Sequence, residues 1–265
     1  MLYVVATPIG NLEDITLRAL RVLREVDVVF AEDTRHTGKL LEAHGVVRTG
    51  RLVSCHEHNE DGRVTQLLEL LAAGKSVALV TDAGTPGVSD PGFRLVRAVR
   101  EAGFAVVPIP GACAAIAALS AAGLPTDRFT FVGFAPKKPG ARRRWLEEAG
   151  AGSGTLVLYA AARDVADVLA DLAVTRQDPE VAVYRELTKH FEECQRGRAS
   201  ALAALWKETP GKGEVVILAD RPPPVALDDE ALLTLLRTAS AAEVAQATGE
   251  SKRRLYQLAL RLKGP

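Results

Sequence analysis

The sequence has few cysteines, no net charge and no long apolar run, and each of these absences excludes a class of protein. Three cysteines in 265 residues predict no disulfide framework and favour a reducing cytoplasm. Lys plus Arg and Asp plus Glu number 33 each, so the chain as a whole has no attraction to nucleic acid or to anionic lipid, and any contact with nucleic acid must come from local basic patches. No run of about 18 apolar residues is present to span a membrane, and the N-terminus lacks the basic leader of a signal peptide.

Common nucleotide and metal motifs are missing as well. No G-x-G-x-x-G follows a predicted strand, and Gly45 and Gly50 have Walker A spacing but are followed by Arg and Leu. A standard binding motif for NAD(P) or ATP is therefore excluded. Cys55, His56 and His58 cluster, but no second ligand pair stands at a recognisable spacing, so a polar surface loop is favoured and no metal is expected.

Short apolar runs alternate with helical patterns over the first half of the chain. Such alternation predicts a parallel α/β sheet whose ligand-binding turns gather at the carboxyl ends of the strands. The first run is apolar throughout, which favours a central strand. The predicted strands are Leu2–Ala6, Val28–Ala31, Leu52–Ser54, Val77–Val80 and Ala105–Ile109.

The pattern changes after about residue 118. Four further strands separated by helices predict a second α/β domain: Phe129–Phe134, Thr155–Tyr159, Glu180–Tyr184 and Gly213–Leu218. We therefore expect one domain over residues 1–117, a second over 118–220 and a helical tail over 225–265. In the tail, Ala245 and Gly249 have helix-turn-helix spacing, and Lys252–Arg254 would open the second helix.

The stretch Val77–Asp90, VALVTDAGTPGVSD, combines a strand with a glycine-rich turn. Asp82 stands at the strand end, and Gly84 and Gly87 tolerate backbone angles that a Cβ would forbid. Ser89-Asp90 is predicted to be the N-cap of the next helix. A carboxylate beside two glycines suits a polar, ribose-bearing ligand. The alternative is a tight turn between a strand and a helix.

Two charged segments offer further sites. Glu32–Arg35 follows the second strand and can hold a sugar or a phosphate; the alternative is a helix start capped by Asp33 or Thr34. Lys137–Arg144 contains five basic residues, Lys137, Lys138, Arg142, Arg143 and Arg144. A contact with RNA phosphates is favoured there over a solvated loop.

Seven blocks, taken together, resemble the bacterial small-subunit (16S) ribosomal RNA cytidine 2′-O-methyltransferases, within the tetrapyrrole-methylase-like superfamily. The blocks are LYVVATPIGNLEDITLRAL, VFAEDTRHTGKLL, HEHNE, LVTDAGTPGVSDPG, PIPGACAAIAALSAAGLP, FVGFAPKKPGARRRWLEE and RELTKHFEE. The resemblance implies two α/β domains with S-adenosylmethionine (SAM) in the cleft between them. It also implies a homodimer that modifies RNA of the small ribosomal subunit.

The resemblance also implies a set of cofactor-binding residues. They are Pro8, Asp82, Gly84, Thr85, Pro86, Ala112 and Ala114 in the first domain, with Phe131 and Gly133 facing them from the second. The chain departs from the family after Tyr159, where Ala160–Asp164 replaces the usual Glu-Ser-Pro-His-Arg. The contacts made by that run in other members are therefore lost here or taken over by Arg163.

Methyl transfer to a ribose hydroxyl needs a base, since the hydroxyl is a weak acid. Asp33, Glu32, Glu186 and Lys189 are the candidates, and the sequence does not choose among them. Arg35 is expected to hold an adjacent phosphate bidentately. Two other functions stay open. A tetrapyrrole or other small-molecule methyltransferase fits the superfamily, and a non-catalytic RNA-binding protein fits the tail but leaves the polar strand ends unexplained.

Overall fold

A computed structural model describes residues 1–47, 50–150, 154–221, 227–248 and 250–262. The chain divides into two compact units, Met1–Arg221 and Pro222–Pro265. The first unit contains two five-stranded sheets with helices, the α/β architecture expected from the sequence. Residues 117 and 118, the predicted domain boundary, both lie within one helix of this unit, and that boundary stays a prediction.

The first sheet is fully parallel. Its strands are β1 (Leu2–Val5), β2 (Val28–Ala31), β3 (Arg51–Ser54), β4 (Val77–Val80) and β5 (Val106–Ile109), in the order β3-β2-β4-β1-β5. β1, the strand predicted to be central, pairs with β4 on one side and β5 on the other, and all four residues of β4 are buried. Helices cover both faces: α1 (Leu17–Glu25), α2 (Thr34–Ala43), α3 (Glu60–Ala72) and α4 (Phe93–Glu101). The carboxyl ends of the strands therefore share one rim.

The second sheet is mixed. Its strands are β6 (Phe129–Phe134), β7 (Thr155–Ala161), β8 (Glu180–Arg185), β9 (Glu193–Arg198) and β10 (Glu214–Ala219), in the order β6-β7-β10-β8-β9. The β6–β7 pair is parallel and the others are antiparallel. One face packs on α6 (Pro139–Gly150), α7 (Val165–Thr175) and α8 (Ala199–Glu208), and the other packs on α5 (Ala114–Ala121). Because α5 follows β5 directly, it leads the chain from one sheet onto the other.

The start of α4 differs from the sequence-based prediction. The helix begins at Phe93 with Gly92 as its N-cap, so the predicted cap at Ser89-Asp90 is wrong. Glu60 of α3 supplies the cap instead, because its buried Oε1 accepts hydrogen bonds from the N–H groups of Gly92, Arg94 and Leu95 at 3.1, 3.1 and 3.3 Å. Asp90 is thereby released from a capping role.

The basic segment Lys137–Arg144 also differs from expectation, since its arginines lie on α6 and not on a loop. Arg142 is buried, and its Nε lies 2.7 Å from Oδ2 of Asp171, which is buried as well. Arg143 shares the same carboxylate at 2.6 Å. A buried, paired guanidinium cannot reach an RNA phosphate, so the predicted phosphate contact is wrong for Arg142.

The described residues of the second unit form three short helices, α9 (Asp229–Leu236), α10 (Ala241–Thr248) and α11 (Lys252–Leu262). They enclose a small core of Leu232, Ala241, Val244, Leu255 and Leu258. α11 starts at Lys252 as the sequence predicts, whereas the turn residue Gly249 lies outside the described residues. In the described part of the chain, no helix is both long enough and apolar enough to cross a membrane.

Candidate active site

The turns after β1 and β4 are joined by their main chains. The Thr7 N–H donates to the Gly84 carbonyl at 2.9 Å, and the Gly84 N–H donates back to the Thr7 carbonyl at 3.1 Å. The Thr7 hydroxyl also donates to the carbonyl of Thr81 at 3.0 Å. Gly84 has φ +78°, a left-handed conformation that a side chain would strain, and a Cβ there would lie 3.4 Å from Ile9 Cγ2. The two turns therefore form a rigid backbone floor.

The turn after β5 attaches to this floor and to the second sheet. Thr85 Oγ1 donates to the Ala112 carbonyl at 3.0 Å, and the Ala115 N–H at the start of α5 donates to the Tyr159 hydroxyl of β7 at 3.0 Å. Phe131 and Phe134 of β6 pack edge-on against the Tyr159 ring, with centroids 4.9 and 5.2 Å away. Phe131, Phe134 and Tyr159 thus form an aromatic wall on the second sheet, the Tyr159 wall, and the Tyr159 hydroxyl bonds this wall to the turn after β5.

A cleft lies between the floor and this wall, with an empty volume of about 900 Å³ out to the surrounding solvent. Of the predicted cofactor-binding residues, Gly84, Thr85 and Ala114 line it. The others are not among its lining residues: Pro8 and Pro86 are buried, Asp82 and Ala112 are bonded to neighbouring turns, and Phe131 and Gly133 lie on β6. Their assignment to the cofactor stays a prediction.

The segment after β2 is bonded to the turn after β4 and to itself. Asp82 Oδ1 accepts the Asp33 N–H at 3.1 Å, and Glu32 Oε2 accepts the Asp82 N–H at 3.2 Å. Asp33 caps α2 by accepting the Arg35 N–H at 2.8 Å, so the helix start that the sequence left as an alternative is present. The same carboxylate holds the Arg35 guanidinium at 3.1 and 2.7 Å. Both Asp33 oxygens are therefore occupied.

This ion pair fixes the charge states of both partners. Hydrogen bonding from the Arg35 guanidinium holds the pKa of the Asp33 carboxyl well below its ordinary value, and the carboxylate raises the pKa of Arg35. The Arg35 side chain is 87% exposed, so its cation faces solvent while Asp33 holds it from behind. A carboxylate with so low a pKa is a weak proton acceptor at neutral pH.

The loop between β8 and β9 closes one side of the cleft. Thr188 Oγ1 accepts the Asn11 N–H at 3.2 Å, and a Cβ on Gly10 would lie 2.5 Å from Lys189 Cγ, so the loop packs directly on the turn after β1. Glu186, with φ +52°, accepts a hydrogen bond from Lys189 Nζ at 3.0 Å. Lys189 lines the cleft, so the structure brings this predicted pair to the site in a mutually neutralised state.

Sequence reasoning missed the remaining polar groups of the cleft, above all Asp90. Its carboxylate lines the cleft, and among the described residues none donates a hydrogen bond to it. Burial, followed by the negative charges of Glu32, Glu214 and Asp82, raises the pKa of Asp90 to about 7. The sequence signal was the motif itself, since Ser89-Asp90 was assigned to a helix cap that Glu60 provides.

The segments that depart from expectation elsewhere have structural explanations. Ala160 and Ala162 are buried on the face of the second sheet opposite Tyr159, whereas Arg163 is exposed. Cys55 is buried, and burial raises the pKa of its thiol to about 11, which disfavours the thiolate that a metal site needs. His56 is hydrogen-bonded to the side-chain amide of Asn59 in a local turn, with His56 Nε2 and Asn59 Nδ2 3.1 Å apart.

Comparison with known proteins agrees with this architecture. A family model of tetrapyrrole (corrin/porphyrin) methylases matches residues 1–203. The ribosomal RNA small subunit methyltransferase I of Escherichia coli O157:H7 is 46% identical, over 99% of this chain and 96% of that protein. A crystal structure of uroporphyrin-III-C-methyltransferase from Thermus thermophilus has a TM-score of 0.57 at 26% identity, over 82% of this chain and 93% of that one.

A second structure of the Thermus thermophilus enzyme, complexed with S-adenosyl homocysteine, has a TM-score of 0.57 at 23% identity and covers 82% of this chain and 96% of that one. The architecture on which these structures agree is the pair of α/β sheets described above. The family model spans well over half of the chain, and the Escherichia coli relative spans nearly all of it. The chain therefore belongs to the tetrapyrrole (corrin/porphyrin) methylase family and lies among its ribosomal RNA small subunit methyltransferase I relatives.

Proposed function

We propose that this protein is a SAM-dependent methyltransferase that modifies the ribose 2′-oxygen of a cytidine in small-subunit (16S) ribosomal RNA. The observation that carries the proposal is the cleft in which the turns after β1, β4 and β5 meet the Tyr159 wall, in a chain related over nearly its full length to a ribosomal RNA methyltransferase. The 2′-oxygen and the cytidine follow from the sequence resemblance.

The residues of the cleft fit SAM. When bound, SAM supplies a methyl group on a positively charged sulfonium. The described lining carries two carboxylates, Asp90 and Glu214, and one cation, Lys189, which is paired with Glu186, so the local charge suits a cationic ligand. The left-handed backbone at Gly84 lets a ligand approach the floor without meeting a Cβ. We assign cofactor binding to Gly84, Thr85 and Ala114, with the other predicted residues behind them.

We further propose that Arg35 binds the RNA backbone next to the target ribose. Its guanidinium is held in one orientation by Asp33 yet remains exposed, which is the arrangement expected of a preorganised phosphate contact. Asp33 is then a positioning residue. Glu186 and Lys189 form a second, partly exposed pair, and because Lys189 lines the cleft we expect this pair to contact the acceptor.

The partners follow from the same proposal. The small ribosomal subunit is the substrate, and the exposed Lys252 and Arg253 at the start of α11 are candidates for contact with neighbouring RNA. We also propose a homodimer, as the resemblance implies. Ribosomal subunits and free cysteines both fit the reducing cytoplasm as the place of action.

The test is radiolabelled methyl transfer to undermethylated small subunits, followed by mapping of the label to one nucleotide. A methyl on the ribose makes the adjacent 3′ phosphodiester resistant to alkali, whereas a methyl on the base does not. Porphyrinoid acceptors form a parallel arm, because one solved structure of similar fold is a uroporphyrin-III-C-methyltransferase. Label on a cytosine base, on a porphyrinoid alone, or on no acceptor would contradict the proposal.

A further inference from the structure

We infer that Asp90 takes the proton from the acceptor hydroxyl during methyl transfer, an inference that rests on the proposed function. The candidates drawn from the sequence were Asp33, Glu32, Glu186 and Lys189, and Asp90 was not among them. The structure reverses that order, because it shows which carboxylates are already bonded and which one is not.

The position of Asp90 is fixed by the loop that carries it. The Val88 N–H donates to the Thr85 carbonyl at 3.1 Å, and the Gly87 N–H donates to the Pro91 carbonyl at 3.1 Å. These two bonds bracket the segment between the cofactor turn and α4. Asp90 is therefore held at the cleft by a closed loop that begins beside Gly84, so a ligand bound on that floor would lie in the same cleft as this carboxylate.

The surroundings of Asp90 leave its lone pairs available. Facing groups from the packed elements are Glu32 after β2, Asp82 after β4, Glu214 of β10, Tyr159 of β7, Cys113 before α5 and Lys189 of the β8–β9 loop. Of these, Lys189 is the one cation among the described lining residues, and its ammonium is bonded to Glu186. No described group donates a hydrogen bond to Asp90, so its carboxylate is available to accept one from a bound substrate.

The carboxylates of the other acidic candidates already accept hydrogen bonds from the protein. Asp33 is bonded to Arg35, Glu186 to Lys189, and Glu32 to the Asp82 N–H. Transferring a proton to any of these carboxylates would weaken a bond that the fold already makes. A proton on Asp90 breaks no described bond. Burial first, and repulsion from its acidic neighbours second, raise the pKa of Asp90 to about 7, which suits proton transfer at neutral pH.

The step balances as follows. The acceptor oxygen forms a bond to the methyl carbon while the carbon–sulfur bond breaks, and the electron pair of that bond stays on sulfur as a neutral thioether. The acceptor hydroxyl loses its proton to an Asp90 oxygen. Release of the proton from Asp90 to solvent, after the products leave, restores the carboxylate for the next turnover.

The experiment measures single-turnover methyl transfer to small ribosomal subunits as a function of pH. Wild-type rates should fall tenfold per pH unit below about 7 and level off above it, because only the ionised Asp90 accepts a proton. Asp90→Asn keeps the shape of the side chain. It should lower the plateau rate by about 10²-fold or more and abolish the pH dependence near 7, a loss far larger than the accompanying change in SAM affinity measured by calorimetry.

Two further variants separate a chemical role from a structural one. Glu214→Gln removes one of the charges that raise the pKa of Asp90, so the fall in rate should move to lower pH. Asp61→Asn removes a carboxylate from the exposed α3–α4 surface, where it pairs with Arg94, and should leave the rate unchanged. A merely structural Asp90 would not make the pH profile respond to Glu214.

Carboxyl carbon NMR of the wild-type protein without cofactor supplies a readout that is independent of turnover. Asp90 should titrate near pH 7, and a value near 4 would overturn the inference even if the variant fails to fold. An Asp90→Asn enzyme as fast as wild type, or one that loses SAM affinity in proportion to its rate, overturns it too while leaving the proposed function intact. A wild-type protein that methylates no RNA overturns the function first and this inference with it.

Discussion

The turns after β2 and β4 lie side by side on one rim of the same sheet, and both carry carboxylates. In the β2 turn, Asp33 has its hydrogen bonds filled by Arg35 and by the first turn of α2. In the β4 turn, no described residue donates a hydrogen bond to Asp90, and Glu60 caps the following helix in its place. The difference teaches that proximity to a cleft does not identify a reactive acid. What distinguishes the two turns is which carboxylate the fold has already satisfied.

Among the variants that test this comparison, Gly84→Val in the β4 turn should have the largest effect. A β-branched side chain at φ +78° strains the backbone and meets Ile9, so SAM affinity should fall about 100-fold, on the order of 2–3 kcal/mol. The matched control is Gly74→Val, which has φ +76° but no atom within 4 Å of its Cβ position. It should cost stability alone, and equal losses of SAM affinity in both variants would show that Gly84 acts only through folding.

Glu60→Ala tests whether the β4 turn depends on its distant cap. Three N–H groups at the start of α4 would lose a buried acceptor, so the free energy of unfolding should fall by about 2 kcal/mol in urea titrations. Glu69→Ala on the same helix, where the side chain is exposed, is the control and should change stability little. An unaltered midpoint in Glu60→Ala would mean that α4 is held by its packing alone.

Arg35→Ala tests whether the β2 turn makes the proposed contact with an RNA phosphate. RNA affinity should drop several-fold, and the slope of log K against log salt should flatten by about 0.7–0.9, the value of one released phosphate contact. SAM affinity should not change, since no described contact joins Arg35 to the cleft floor. Arg21→Ala, on the exposed face of α1, provides the comparison for loss of a surface charge. An unchanged salt slope would remove Arg35 from the interface.

The smallest effect is expected from Asp33→Asn. Asparagine caps a helix about as well as aspartate, and the low pKa of Asp33 makes it a poor proton acceptor, so the rate should stay within about threefold of wild type. The measurement is single-turnover methylation under the conditions used for Asp90→Asn. If the rate fell 10²-fold in Asp33→Asn and stayed near wild type in Asp90→Asn, the proton acceptor would be Asp33 and not Asp90.

The parts of the fold that follow from local pattern were predictable from the sequence. The bounds of β2, β4 and β6 agree with their apolar or aromatic runs. β9 was missed because Glu193–Arg198 is polar on both faces of an edge strand, so it has no hydrophobic alternation to detect.

What the sequence did not reveal depends on partners far along the chain. Arg142 belongs to a basic run whose composition favoured a contact with RNA phosphates, but Asp171, 29 residues later, pairs with its guanidinium. Asp90 was assigned to a cap because Ser-Asp-Pro fits the local rule, and Glu60, from a helix more than thirty residues earlier, overrides that rule. The charge on Asp90 likewise depends on Glu214, which no local window contains.

The hydrogen-bonded bridge between Thr7 and Gly84 has a consequence for how such enzymes diverge. The bridge is made by main-chain atoms and constrains the side chain only at Gly84, where φ is positive. Lineages are therefore free to exchange the neighbouring side chains without dismantling the floor. The bridge is therefore compatible with many different neighbouring side chains, which agrees with an architecture shared with a solved structure that is only 26% identical to this chain.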